Sequence, residues 1–176
     1  MDRLIRAIDR FTERSGAAIA WLTVPLVAAV AWEVVARYGF DAPTTWAYET
    51  VYMLYAAMFM LGAAYALRVG AHIRTDFFWQ KWPVRTRAAI ETIAYVAFFF
   101  PGMLFFLVAG AESAWSAFVM DERSPETAWR PPLWPLKAVL PLAALLLLVQ
   151  GISELAKCVR AWASGEEAGR PPEGGI

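Results

Sequence analysis

One histidine, His72, and one cysteine, Cys158, are all that 176 residues offer of the side chains most used for metal and redox chemistry. A single histidine excludes a bis-histidine haem and argues against a histidine-built metal site. A lone cysteine forms neither an intrachain disulfide nor a two-thiol relay, so thiol chemistry with quinone drops out. Charge is scarce too, at 18% of residues and a formal net of zero, against roughly 25% charged in soluble domains. The sequence also lacks a phosphate-cradling glycine loop, a nucleophile beside a base, and paired acids in the middle of an apolar stretch. No catalytic set assembles, so neither an enzyme nor a cofactor is expected.

What is abundant is apolar surface. Hydrophobic residues make up 59% of the chain, above the roughly 45 to 50% of soluble domains. Most lie in four stretches, residues 15–35, 46–67, 88–111 and 133–155. Each reaches the roughly 20 residues needed to cross a hydrocarbon core about 30 Å thick. Inside such a core every backbone polar group must be satisfied within the segment, so the spans are helices. The expected fold is all-α: an integral membrane four-helix bundle over residues 15–156, with no room for a soluble catalytic domain. Residues 1–14 form a short amphipathic interfacial helix in this reading, and residues 157–176 a tail that is disordered beyond Gly165. Ala29-Val30-Ala31 imitates a signal-peptidase site, but the apolar run around it exceeds a typical signal core and Asp2, Asp9 and Glu13 precede it. It reads as an uncleaved span.

Charge distribution sets the expected topology. Arg3, Arg6, Arg10 and Arg14 precede the first span, and Arg68, Arg74, Lys81, Arg85 and Arg87 lie between the second and third. Lys157, Arg160 and Arg170 follow the fourth, whereas Arg123 and Arg130 in the third loop are diluted by Asp121, Glu122 and Glu126. The positive-inside rule puts both termini and the middle loop in the cytoplasm. Tryptophans agree: Trp46, Trp115, Trp129 and Trp134 fall at outer ends, Trp79, Trp82 and Trp162 at inner ones, where an indole keeps its N–H wet. Leu4, Ile5, Ile8 and Phe11 recur at helical spacing among the arginines, which would meet anionic lipid headgroups.

Ionisable residues inside spans are functional candidates by default. Glu33 has Arg37 four residues later, the favourable acid-first spacing for an intrahelical pair. Glu49 lies one turn inside the second span and complements the positive end of that helix. Thr44 and Thr45 precede it as capping residues. Ala56, Ala57, Gly62, Ala63, Ala64 and Ala66 allow close helix approach along the second span. Pro101-Gly102, amid Phe98, Phe99, Phe100, Phe105 and Phe106, predicts a kink with a broad aromatic face. Pro131, Pro132 and Pro135 fix where the fourth helix starts, and Pro141 inside it predicts a mild kink. His72 falls in a cytoplasmic turn dense with donors and acceptors, suited to capping the end of the second span.

That turn carries a family resemblance. Leu61-Gly62-Ala63-Ala64-Tyr65-Ala66-Leu67-Arg68 followed by Gly70-Ala71-His72-Ile73-Arg74-Thr75-Asp76 resembles the signature of the DctQ-type small membrane subunit of tripartite ATP-independent periplasmic (TRAP) transporters. Trp46-Ala47-Tyr48-Glu49 extends it upstream, and Pro132-Leu133-Trp134-Pro135-Leu136-Lys137 with Pro141-Leu142 extends it into the fourth span. The resemblance implies a subunit without catalysis in the bacterial inner membrane. It would scaffold a large sodium-coupled elevator-type subunit and help dock a periplasmic binding protein that delivers an organic acid, often a carboxylate. It assigns structural or intersubunit roles to Trp46, Glu49, Gly70, His72, Arg74 and Asp76. By topology, residues 39–45 and 121–132 would contribute to the docking surface. The alternative is a stand-alone, proton-coupled four-helix exporter with Glu33 as its proton site.

Overall fold

A computed structural model describes residues 2–70 and 82–165, and nearly all of it is helix. Helix α1 (Asp2–Ala20) is followed by α2 (Thr23–Gly39), α3 (Ala47–Arg68) and α4 (Val84–Ala94). A π-helical turn (Tyr95–Phe99) joins α4 to α5 (Phe100–Val119), and α6 (Trp134–Ser164) completes the chain. Four helical runs are long and apolar enough to cross a membrane: Arg3–Gly39, Ala47–Arg68, Val84–Val119 and Trp134–Ser164. The chain is therefore a multi-pass membrane protein, as its apolar runs anticipate.

The amphipathic N-terminal helix is present but longer than residues 1–14. It continues to Ala20 and passes into α2 through a tightened turn at Trp21-Leu22, where Trp21 and Leu22 donate backbone hydrogen bonds to Ala18 and Ile19 at 3.2 and 2.9 Å. At about 1.5 Å per residue, α3 is about 33 Å long and matches a hydrocarbon core. The runs Arg3–Gly39, Val84–Val119 and Trp134–Ser164 all exceed it. The fourth likewise passes residue 155, so Lys157, Cys158 and Arg160 are helical.

Packing follows a row more than a ring. Helix α6 is the axis: α4 and α5 lie against it on one side, α3 on the other, and α1 crosses its C-terminal half. Helix α3 carries α1 and α2 on its far side, while α2 and α5 share no substantial contact. In the most apolar part of the fourth span 28% of residues are buried, against 6% in each of the other three. Most of the buried apolar residues are small, including Ala64, Ala117, Ala143 and Ala144, as expected where lipid supplies no hydrophobic drive and backbones must approach closely.

Two contacts fix α5 and the π turn on α6. A Cβ at Gly110 would lie 2.9 Å from the Pro141 Cδ, and one at Gly151 would overlap the Phe99 ring. Pro141 thus seats on Gly110 within an unbroken α6. The irregularity expected at Pro101-Gly102 lies just upstream, in the π turn Tyr95–Phe99. Pro101 offers no N–H to the preceding turn, and a wider turn accommodates that loss. The aromatic face divides accordingly: Phe98, Phe105 and Phe106 are exposed, whereas Phe99 turns inward onto Gly151.

Candidate functional site

The anticipated functional residues separate onto two ends of the molecule. At the end formed by the C-terminus of α2 and the start of α3, Glu33 is enclosed by its own chain. Its Oε1 accepts from Arg37 Nε at 3.0 Å and from Arg37 Nη2. Its Oε2 accepts from the Thr44 backbone N–H at 3.1 Å and from the Thr44 hydroxyl. Thr44 Oγ1 also accepts from the Ala47 N–H at 3.4 Å, a weak cap on α3. Glu33 thus has donors on both oxygens and ties the end of α2 to the chain just before α3.

Glu49 sits in the first turn of α3 and is only 2% exposed. Its Oε1 accepts from the Thr127 hydroxyl of the third loop, while Oε2 is buried without a hydrogen-bond partner among the described residues. The positive end of α3 offsets part of the cost of placing a carboxylate there. Trp46 immediately precedes that helix and is partly exposed.

The third loop is pinned, despite lacking regular structure. An antiparallel bridge pairs Arg123 with Pro132, closed by Ser124 N–H to Pro131 O and Leu133 N–H to Glu122 O, both 2.9 Å. Lys137 on α6 pairs with Glu122 at 2.5 Å. Asp121 and Arg130 adopt left-handed backbone, with φ of 47° and 48°, and Pro135 stands in the first turn of α6. Around this end Tyr38, Phe40, Trp115, Trp129 and Trp134 are exposed. The first and third loops thus share one end of the molecule, joined through α3.

At the other end of α3, Gly70 has a φ of 70°. Its N–H donates to Leu67 O at 3.3 Å, a left-handed exit from a helix that a side chain would strain. His72, Arg74 and Asp76 lie outside the described residues, as does the rest of the turn, and so does the tail beyond Gly165.

This second end holds a polar cluster that sequence reasoning missed. Gln150 is fully buried in α6. Its Oε1 accepts from Thr12 Oγ1 at 2.7 Å, and its Nε2 donates to Asp9 at 3.1 Å and to Glu154 at 2.9 Å. Asp9 also accepts from Ser153 Oγ at 2.8 Å and pairs with Lys157 at 3.0 Å, and Lys157 donates to Glu154 at 2.8 Å. Beside it Arg68 pairs with Glu13 at 3.1 Å, and Cys158 contacts Glu91 of α4 at 3.0 Å. The signal was present as spacing: Asp9 and Thr12 lie three apart on α1, while Gln150, Ser153, Glu154 and Lys157 share one face of α6. Among the described residues no group of three or more His, Cys, Asp or Glu could hold a metal ion.

A curated relative, the sialic acid TRAP transporter small permease protein SiaQ of Vibrio cholerae serotype O1 (strain ATCC 39315 / El Tor Inaba N16961), is 30% identical over 73 residues. That alignment covers 39% of this chain and 42% of the relative, so the chain spans less than half the length of the curated protein it matches. The family model described as "Tripartite ATP-independent periplasmic transporters, DctQ component" matches residues 26–161, from within α2 to the last turn of α6, and the chain belongs to that family.

Proposed function

We propose that this chain is the small permease subunit of a TRAP transporter, serving as the membrane scaffold of a large sodium-coupled elevator-type subunit. In this reading the end bearing the first and third loops contributes to the docking surface for a periplasmic binding protein. The cargo is an organic acid of the carboxylate class, and the sialic acid in the relative's name belongs to that class. Members of the DctQ family are transporter components, not enzymes.

The observation that carries the proposal is the extent of the family match, which takes in most of the helical body. The packing supports a scaffold: three of four spans leave their apolar surface largely uncovered by the chain itself, as suits a part built to lie against another membrane protein. The arginine-rich N-terminus supports an inner-membrane orientation with both termini in the cytoplasm. Trp46, Glu49, Gly70, His72, Arg74 and Asp76 act as structural or intersubunit positions. Glu33 and Arg37 clasp the first loop.

Affinity purification through a tag on the C-terminus, in mild detergent from native membranes, tests the proposal. A large multispanning partner in equal amount is the expected outcome. Uptake by vesicles holding both subunits should then require the binding protein and an inward sodium gradient. Recovery of the chain only with copies of itself would overturn the scaffold reading.

A further inference from the structure

The uncovered surface is not chemically uniform. On the π turn and α5 side, every exposed residue from 93 to 108 is apolar, including Ile93, Val96, Phe98, Leu104, Phe105 and Val108. That surface asks nothing of its surroundings that lipid tails cannot provide. Helix α3 differs. Tyr48, Tyr52, Tyr55 and Phe59 recur at helical spacing along one exposed stripe, with Tyr52 and Tyr55 at 56% and 57% exposure. Among the described residues the hydroxyls of Tyr48, Tyr52 and Tyr55 make no hydrogen bond.

Depth decides what the stripe means. A tyrosine at the membrane interface is an ordinary anchor, and Tyr48 at the start of α3 fits that role. Helix α3 closely matches the hydrocarbon core in length, so its residues can be placed along the membrane normal. Tyr55 lies eight residues into α3 from Ala47, about 12 Å along its axis at the helical rise per residue. Helical side chains lean toward the N-terminus, which lets Tyr52 reach back to the interface but leaves the Tyr55 hydroxyl short of it. A hydroxyl facing lipid tails has no acceptor, a costly arrangement that native membrane proteins resolve by pairing polar groups across helices. The Tyr55 ring stacks on Phe59, with centroids 6.4 Å apart and planes at 20°. A would-be Cβ at Gly62, one turn further along, meets nothing within 4 Å, so a second helix has room to approach.

We infer that the Tyr52–Tyr55–Phe59 face of α3 is the seat of a transmembrane helix of the large subunit, which presents a hydrogen-bond acceptor to the Tyr55 hydroxyl just inside the hydrocarbon core. The inference rests on the scaffold reading and adds which face carries the partner; the phenylalanine face of α5 is left to lipid.

The test uses the whole complex in native membranes, with a photoreactive p-benzoylphenylalanine placed at position 55 or, separately, at position 105. Illumination at position 55 is expected to join this chain to a large multispanning protein, and at position 105 to give no protein adduct. In parallel, Tyr55→Phe removes only the hydroxyl. It should leave the thermal midpoint of the isolated chain unchanged while lowering recovery of the large partner several-fold. Capture of the partner from position 105 instead of 55, capture of a second copy of this chain at 55, or full partner recovery with Tyr55→Phe would each overturn the inference. If the unmodified tagged chain brings down no large partner, the scaffold reading itself fails. If it does bring down that partner while position 55 captures none, the inference alone fails.

Discussion

The two polar ends of this molecule are built to different standards. Where α1 crosses α6, the chain closes its own circuit: both functional atoms of the fully buried Gln150 have partners, and Asp9 collects donors from Gln150, Ser153 and Lys157. Where α3 and the third loop meet, Glu49 is nearly as hidden, yet one of its oxygens has no donor among the described residues. Buried polar networks that are fully satisfied rigidify a structure. The comparison separates an end that locks the helices from an end that holds loops in position by a few contacts.

Asp9→Ala should sharpen that contrast most. It strips an acceptor from Ser153 and Gln150 and a counter-charge from Lys157, which retains Glu154. Deleting one member of a partly buried, hydrogen-bonded pair costs about 2–3 kcal/mol. The thermal midpoint of the purified chain should fall clearly, and proteolysis should begin within α1. An unchanged midpoint would show that the cluster does not lock the helix.

Gly151→Ala comes next. The added methyl meets the Phe99 ring, and overpacking of this kind costs about 1–3 kcal/mol, partly offset by the better helix propensity of alanine. Gly62→Ala is the matched control. Its methyl enters open space, so the isolated chain should be as stable as the parent or slightly more so by the same thermal measurement.

Thr127→Val probes the less complete end. It removes the hydroxyl that bonds Glu49, leaves a buried carboxyl without that donor, and costs about 1–3 kcal/mol. The loss should appear locally, as faster amide exchange over residues 121–132, while the midpoint of the whole chain moves less than with Asp9→Ala. Equal global loss would erase the distinction between the ends.

Much of this could be read from residue order, and the failures have physical causes. Span positions followed from apolar run length, and the Glu33–Arg37 contact from acid-first helical spacing. The disturbance expected at Pro101-Gly102 lies a few residues earlier, because the missing N–H of Pro101 is felt in the preceding turn. The Asp9–Gln150 cluster went unseen because its members are more than a hundred residues apart, and each alone looks like an ordinary polar residue near a helix end. Thr127 is hidden in the same way, 78 residues from Glu49, and only the folded loop brings this donor to the acid.

Arg37→Gln should have the smallest effect, and it bears on what Glu33 is for. The guanidinium is half exposed, and surface pairs of this kind contribute little because solvent screens them and long side chains lose freedom in making them. After the substitution Glu33 still accepts from the backbone and hydroxyl of Thr44, so the first loop should stay closed and the midpoint of the purified chain should not move measurably. Uptake by the assembled transporter should also be unchanged, since the clasp stands outside the transport step in the scaffold reading. Uptake that fell sharply, or acquired a new pH dependence with the fold intact, would mean that Arg37 had been tuning an acid that exchanges protons. That result would move Glu33 from the clasp to the working part of the molecule and reopen the exporter alternative.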